Sequence, residues 1–148
     1  MPDDRTAGVR LVVSIYREFE QLARRDDLSM AQYRTLLYLM GGARRAGELA
    51  AANAVTKPTV SAMINGLRDQ GWVEDVVEPG DGRVTKVVLT TAGWARVAAF
   101  EAELAARMEE LVPGVDVEQM RSTLADIYAA HALTRQGRLG NVFGPTKR

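Results

Sequence analysis

The sequence has no cysteine and a single histidine, His131. Without cysteine the chain forms no disulfide and performs no thiolate chemistry, and it has no His and Cys cluster that resembles a zinc site. No apolar run approaches the roughly 18 residues that a membrane-spanning helix needs, and the acidic start lacks the apolar segment of a signal peptide. We therefore expect a cytoplasmic protein without a metal, another cofactor or a membrane partner.

An excess of either charge is also missing. The 148 residues include 19 basic and 19 acidic side chains, so the net charge is zero. The balance is local as well, because residues 1–41, 42–90 and 91–148 each contain equal numbers of the two signs. Binding to nucleic acid would therefore depend on where individual cations lie, since phosphate affinity depends on the patch that meets it.

The sequence also lacks the motifs of common enzyme active sites. The sequence has no glycine-rich phosphate loop after a strand, no serine elbow, and no histidine paired with Cys or Asp. Glu101, Glu103, Glu109 and Glu110 are spaced as a solvated helix face, not as an acid and a base that flank a substrate. We do not expect an enzyme.

Apolar residues recur at three- and four-residue steps in several segments, which predicts helices. Capping patterns mark the starts, such as Ser29 with Gln32 three residues later, Thr56 before Pro58, and Thr90 or Thr91. The predicted helices are residues 7–25, a second that ends at Gly41-Gly42, residues 46–53, a fourth from Lys57, a fifth that Pro113-Gly114 ends, and a sixth from Asp116.

Between the fourth and fifth helices the pattern changes to that of a β-hairpin. Segments 72–77 and 84–89 are rich in valine, and the turn formers 79–82 lie between them. Val76 and Val77 are adjacent, so the alternation is imperfect and leaves the register of the strands open. The predicted fold class is mainly α with one small β-hairpin.

The fourth helix has a polar, basic side opposite an inward stripe of Val60, Met63, Ile64 and Leu67. Small hydroxyl and amide side chains can bond phosphates or base edges in a major groove. The expected DNA contacts of this helix are Thr56, Lys57, Pro58, Thr59, Ser61, Ala62, Asn65 and Arg68. A polar side alone usually means only solvent contact, but here a short helix precedes at helix-turn-helix spacing and a hairpin follows.

The hairpin tip has an arginine that suits a minor groove. Asp81 and Arg83 lie two residues apart, so we expect the carboxylate to steer the guanidinium outward. An always-charged side chain on a thin loop fits a narrow groove, where negative potential is concentrated. An ordinary turn ion pair is the alternative for these two residues taken alone. The expected DNA contacts of the hairpin are Asp81, Gly82, Arg83, Thr85 and Lys86.

These motifs resemble the MarR family of winged helix-turn-helix transcriptional regulators, over nearly the whole chain. The matching motifs are Leu28-Ser29 through Gln32-Tyr33 to Leu36, Glu48-Leu49-Ala50, Thr56-x-x-Thr59-Val60-Ser61, Leu67 with Gly71-Trp72-Val73, Asp81-x-Arg83, and Leu89-Thr90-x-x-Gly93. The resemblance implies a winged helix-turn-helix flanked by long N- and C-terminal dimerisation helices. Arg83 matches the wing arginine, and Gly82 stands where family members often have a second basic residue.

The resemblance also implies an organisation and a function. The expected organisation is one MarR-like unit over 1–148, with a DNA-binding lobe at 28–90, dimerisation helices at 5–25 and 91–137, and a flexible tail at 138–148. The implied function is a homodimeric repressor of a nearby or divergent operon for efflux, stress or aromatic-compound metabolism. It would bind a pseudo-palindromic operator in double-stranded DNA, with half-sites roughly 34 Å apart.

Members of the family are commonly released from DNA by small aromatic or phenolic anions. The residues expected to line such an effector cleft are Tyr16, Arg17, Met30, Tyr33 and Trp94, although plain core or interface packing is the alternative for each. The absence of cysteine excludes the peroxide-sensing mechanism of the family.

A winged-helix module that binds another protein, without reading DNA sequence, is the main alternative function, and the neutral net charge favours it. Salt distinguishes the two hypotheses. Phosphate binding weakens steeply as salt is added, whereas an apolar protein contact changes little.

Overall fold

The structure is a computed structural model that describes residues 3–142, except for the side chains of residues 4, 5 and 135–142. It divides into two compact units, one that ends at Leu111 and one that begins at Val112. The elements are α1 Asp4–Ala23, α2 Met30–Met40, α3 Ala46–Asn53, α4 Lys57–Asp69, β1 Val73–Glu78, β2 Asp81–Leu89, α5 Thr91–Glu110 and α6 Val117–Val142. In the described part of the chain, no helix is long and apolar enough to cross a membrane.

The helix starts follow the caps that the sequence predicts. Ser29 Oγ accepts a hydrogen bond from the Gln32 N–H at 3.2 Å, and Gln32 Oε1 accepts one from the Ser29 N–H at 2.9 Å. Asp116 Oδ1 accepts from the Gln119 N–H at 3.0 Å at the start of α6. These bonds satisfy N–H groups that a first helical turn leaves without partners, so both predicted starts are confirmed.

Two helix bounds differ from the prediction. α1 begins at Asp4 because the Asp3 carbonyl accepts from the N–H groups of Thr6 and Ala7, at 2.9 and 3.1 Å. α6 continues to Val142, past the predicted limit of the helical region at 137. No proline interrupts it before Pro145, and glycine weakens a helix without stopping it. Residues 143–148 of the predicted tail lie outside the described residues.

The core of the first unit lies among α2, α3, α4, α5 and the base of the hairpin. Burial of these side chains removes apolar area from water, which is the main favourable contribution to folding. The most deeply buried apolar residues are Leu28, Leu36, Leu39, Leu49, Val60, Ile64, Leu67, Val73, Val87, Val97 and Phe100. The inward stripe predicted for α4 is confirmed, because Val60, Ile64 and Leu67 are buried and Met63 packs against them.

α1 has an apolar side that the first unit only half covers. Phe19 and Leu22, toward its end, pack against the core. Val9, Val12 and Val13, toward its start, are exposed, with Val12 at 66%. The helical spacing therefore predicted one continuous apolar side correctly, but not the different surroundings of its two ends.

The hairpin register, which the sequence left open, is now defined. The strands pair antiparallel, with Val73 opposite Leu89 and Val77 opposite Thr85. The register shifts between Val77 and Glu78, so that Glu78 lies opposite Asp81. Val76 and Val77 lie before this shift, in regular pairing, so they face opposite sides of the strand and Val77 is 61% exposed.

Candidate nucleic-acid interface

The turn between α3 and α4 sets the angle of α4. Ala54 has φ of 53°, in the left-handed region, and ends α3. The side-chain nitrogen of Asn53, Nδ2, donates to the Leu49 carbonyl at 2.9 Å and to Thr35 Oγ1 of α2 at 3.1 Å. These bonds tie the turn to the neighbouring helix, so the chain holds an uncommon alanine conformation there. The predicted break at Asn53 or Ala54 is confirmed.

α4 exposes the side that the sequence assigns to DNA. Thr56 caps the helix, accepting from the Thr59 N–H at 3.4 Å, and the two hydroxyls lie 2.8 Å apart. Lys57 makes no ion pair among the described residues. A cation at the positive end of a helix dipole favours an anion such as phosphate. The exposed residues of this side are Thr56, Lys57, Pro58, Thr59, Ser61, Ala62, Asn65 and Arg68.

Arg68 is exposed but already has two partners. Its Nη1 donates to Asn65 Oδ1 at 2.6 Å, and its Nη2 lies 2.8 Å from Asp75 Oδ1 on β1. Sequence reasoning placed Arg68 on the outward side of α4 but did not predict Asp75 as its partner, because that contact crosses from a helix to a strand.

At the hairpin tip, the Asp81 carboxylate binds a backbone N–H and not the guanidinium of Arg83. Asp81 Oδ1 accepts from the Arg83 N–H at 3.1 Å, so the expected role of this carboxylate in steering the guanidinium is replaced by a turn bond. A short carboxylate reaches a main-chain N–H two residues on more readily than the end of a long arginine. Arg83 itself makes no ion pair in the described part of the chain. Gly82 and Thr85 are exposed beside it.

Lys86, the other predicted cation of the hairpin, is half-buried and paired. Its Nζ lies 2.8 Å from Glu78 Oε1, and Arg45 Nη2 lies 3.1 Å from Glu78 Oε2. The hydrogen bonds from Lys86 and then Arg45 hold the pKa of Glu78 below its ordinary value. Sequence reasoning missed Arg45, although Glu48 three residues later was a signal for a helix start there, and Glu48 does accept from the Arg45 N–H at 2.7 Å.

The base of the hairpin is fixed to α5 and to the segment before α3. Arg44 and Val87 exchange two backbone hydrogen bonds, at 3.0 and 2.8 Å. Thr90 Oγ1 donates to the Gly71 carbonyl at 2.7 Å and caps α5 by accepting from the Gly93 N–H at 3.0 Å. Gly93 lies so close to the Trp72 carbonyl that a Cβ would overlap it. The Leu89-Thr90-x-x-Gly93 pattern is therefore a joint between hairpin and helix.

The observations together describe a helix-turn-helix followed by a hairpin with an exposed arginine at its tip. Residues 26–84 match the MarR family. The match covers the helix-turn-helix and most of the hairpin, so this segment is similar to the MarR family. The resemblance inferred from the sequence is confirmed, and so is the mainly helical, winged helix-turn-helix fold class.

Solved MarR-family structures share the fold at low sequence identity. The Multiple Antibiotic Resistance Repressor, MarR, matches with a TM-score of 0.69 and 19% identity, over 88% of this chain and 96% of that one. S. aureus MepR, described as a transcription regulator of the multidrug efflux pump MepA, matches with a TM-score of 0.65 and 22% identity. The match covers 86% of this chain and 98% of that one. An S. aureus MepR mutant bound to an oligodeoxyribonucleotide matches with a TM-score of 0.63 and 24% identity, and the match covers 86% of this chain and 98% of that one. No curated protein is significantly similar to this chain.

An arginine that sequence reasoning missed links α5 to the segment between α1 and α2. Arg96 of α5 forms ion pairs with Asp26 and Asp27, between α1 and α2, and only 14% of its side chain is exposed. Its Cζ lies 5.6 Å from the ring centroid of Trp72 and 5.4 Å from that of Phe100. Both distances suit cation–π contacts. The sequence signal was weak, because the partners are about 70 residues apart.

The ion pairs of Arg96 affect the acidity of Asp26. Burial alone would raise the pKa of Asp26, but hydrogen bonds from the Asp27 N–H and from Arg96 outweigh it and hold the pKa below its ordinary value. Asp26 is therefore ionised at neutral pH.

The five residues expected to line an effector cleft do not all come together. Tyr16 and Met30 line one cavity of about 280 Å³ between α1 and α2. Tyr33 instead donates to Glu101 Oε1 at 2.9 Å and meets the Phe100 ring edge-on. Arg17 and Trp94 are exposed and do not line this cavity. Its other lining residues are Glu20, Ala23, Arg24, Ser29, Ala31 and Arg34.

Proposed function

We propose that this chain is a homodimeric transcriptional repressor that binds a pseudo-palindromic operator in double-stranded DNA and acts in the cytoplasm on a nearby or divergent operon. The observation that carries the proposal is that two of the expected DNA contacts, Lys57 at the start of α4 and Arg83 at the hairpin tip, make no ion pair among the described residues. In this arrangement α4 enters a major groove and Arg83 an adjacent minor groove. The oligonucleotide complex of a MepR mutant supports it by analogy of fold.

DNA binding is tested by fluorescence anisotropy with duplexes from the region upstream of the gene. Lys57→Ala and Arg83→Ala should each weaken binding and lower the slope of log affinity against log salt by about 1 for each phosphate that the variant no longer meets. Arg25→Ala is the control, because Arg25 is exposed but lies outside the lobe. If wild type binds no upstream duplex at low salt, the proposal is wrong and the protein-binding module becomes the better hypothesis.

Dimer formation is supported by the exposed apolar residues on one side of α1, which are Val9, Val12, Val13 and Tyr16. They recur at three- and four-residue steps, as in a helix that packs against a partner. We assign a second copy of the chain as that partner, because two lobes are needed to read two half-sites. Val12→Glu should lower the mass measured by light scattering toward that of one chain, whereas Arg10→Glu should not.

An effector is proposed for the cavity between α1 and α2. Its volume of about 280 Å³ lies near the lower limit of small-molecule sites. Arg24 and Arg34 line it without ion pairs among the described residues, opposite a single carboxylate, Glu20. Tyr16 and Met30 provide apolar contact for a ring. These groups suit a small aromatic carboxylate, which would favour a lobe arrangement unsuited to DNA.

Thermal shift with benzoate and hydroxybenzoates tests the effector site. A ligand at about 100 times its dissociation constant stabilises a protein by about 2.7 kcal/mol, which raises the Tm measurably. Arg34→Gln should abolish this rise, while Arg10→Gln, outside the cavity, should keep it. A rise that is equal in both variants would place binding elsewhere, and no rise with any of these acids would remove this ligand class.

A further inference from the structure

Strand β1 has two carboxylates that bind three of the cations of residues 42–90. Residues 42–90 include six basic side chains, which are Arg44, Arg45, Lys57, Arg68, Arg83 and Lys86. Three of these form ion pairs with β1, where Asp75 binds Arg68 at 2.8 Å, and Glu78 binds Lys86 at 2.8 Å and Arg45 at 3.1 Å. Glu74, on the same strand, is exposed and makes no ion pair in the described part of the chain.

These ion pairs are reachable from solvent and therefore exchangeable, although Lys86 and Glu78 are half-buried, with side chains 26% and 33% exposed. The side chains of Arg68 and Asp75 are 39% and 42% exposed. Exposed ion pairs contribute little to stability, because water and salt screen them. A DNA phosphate can therefore replace the carboxylate when it approaches in the right position, but the exchange has a cost that an unpaired arginine does not have.

The cost of exchange affects the two kinds of DNA binding unequally. Nonspecific binding depends almost entirely on cations that meet phosphates, so every cation held by a carboxylate weakens it. Specific binding also includes contacts with base edges, for which Ser61 and Asn65 of α4 are the candidates. If the correctly docked complex exchanges each carboxylate for a phosphate and random docking does not, the ion pairs lower nonspecific affinity by a larger factor than specific affinity.

We propose that Asp75 and Glu78 are specificity-determining residues, which hold Arg68, Lys86 and Arg45 away from phosphates except in the correctly docked complex. The inference rests on the proposed function, since it assumes that the lobe binds DNA. It also explains why residues 42–90 have no net positive charge, because their acidic residues limit binding to random sequence.

The test compares Asp75→Asn and Glu78→Gln with Glu74→Gln, which removes the same charge from the same strand without breaking an ion pair. Anisotropy is measured with a mixed-sequence duplex of about three helical turns and with the upstream duplex, between about 50 and 200 mM salt. Relative to Glu74→Gln, each test variant should bind the mixed duplex about threefold to tenfold more tightly at low salt, with a steeper salt slope. The ratio of upstream to mixed affinity should fall.

A double-mutant cycle checks that the effect passes through the ion pair. In an Arg68→Gln background the gain from Asp75→Asn should disappear, because no cation is left to release. The inference is overturned if Asp75→Asn and Glu78→Gln bind the mixed duplex no more tightly than Glu74→Gln, or if the gain persists without Arg68. If wild type and all variants bind neither duplex, the proposed function itself is wrong and the inference is wrong with it.

Discussion

The winged lobe and the first half of α1 are both amphipathic, yet their apolar residues have opposite surroundings. In the lobe, Leu36, Val60 and Leu67 are fully buried by other residues of the same chain. On α1, Val9, Val12 and Val13 are exposed in the single chain. The same spacing of apolar residues thus builds a core where neighbouring elements of the chain fold back, and leaves a free surface where they do not. The following predictions test this difference, from the largest effect to the smallest.

The largest difference is expected between two leucines in helices. Leu36→Ala, at 0% exposure, should lower the free energy of unfolding by about 2–5 kcal/mol, because a cavity is added to the lost transfer free energy. Leu11→Ala, at 48% exposure on α1, should change it by no more than about 1 kcal/mol at a protein concentration low enough to exclude association. Urea unfolding followed by circular dichroism measures both. Equal losses would mean that the two regions do not differ as described.

Glycines provide the next comparison. Gly93→Ala should lower the free energy of unfolding by about 1–3 kcal/mol, because the added methyl overlaps the Trp72 carbonyl and forces the hairpin away from α5. Gly8→Ala, in α1, meets nothing within 4 Å and should stabilise its helix by up to about 1 kcal/mol. The Tm of each variant measures the effect. A stable Gly93→Ala would show that the joint tolerates a shift.

Asp26 should contribute stability with a defined pH dependence. Its pKa is lowered on folding, so its contribution is present above the unfolded pKa, at about 4, and is lost as pH falls through the lower folded value. Asp26→Asn should therefore cost about 1.5 kcal/mol at neutral pH, the lower end for loss of a hydrogen bond to a charged group. The difference from wild type should disappear in acid.

Asp27→Asn is the control for that profile. The Asp27 side chain is 54% exposed, whereas that of Asp26 is 22% exposed, and water screens the former more. Its substitution should change the free energy of unfolding less. If Asp27→Asn costs more at neutral pH than Asp26→Asn, or if the Asp26→Asn deficit persists in acid, the role assigned to Asp26 is wrong.

The smallest effect is expected where α1 meets α5 near the surface. Arg107 pairs with Glu18 of α1 at 2.6 Å and with Glu110 of its own helix at 3.0 Å. Because Arg107 is more than one-third exposed, Glu18→Gln should cost no more than about 1 kcal/mol. Glu110→Gln, the more exposed partner, should cost less, within about 0.5 kcal/mol. Chemical unfolding at low and high salt measures both, and a larger loss would mean that this ion pair holds α1 in place.

Predictions from sequence succeeded where a few neighbouring residues decide the outcome. The capping box of Ser29 and Gln32, the break at Ala54 and the exposed side of α4 all depend on contacts within about one helical turn. They did not identify the ion-pair partners of Arg68, Arg96 and Lys86, which lie on other elements. Which carboxylate meets a long cationic side chain depends on the packing angle of two elements, and no local spacing encodes that angle.

By itself the sequence therefore determined the helices, the hairpin and the resemblance to a family, and it predicted which residues face DNA. Hydrophobic spacing and caps act locally, and their physics does not require the rest of the chain. The tertiary structure decided which of the predicted cations make no ion pair among the described residues, namely Lys57 and Arg83, and which apolar residues are exposed on α1. Both outcomes depend on distances between elements, which exist only once the chain has packed.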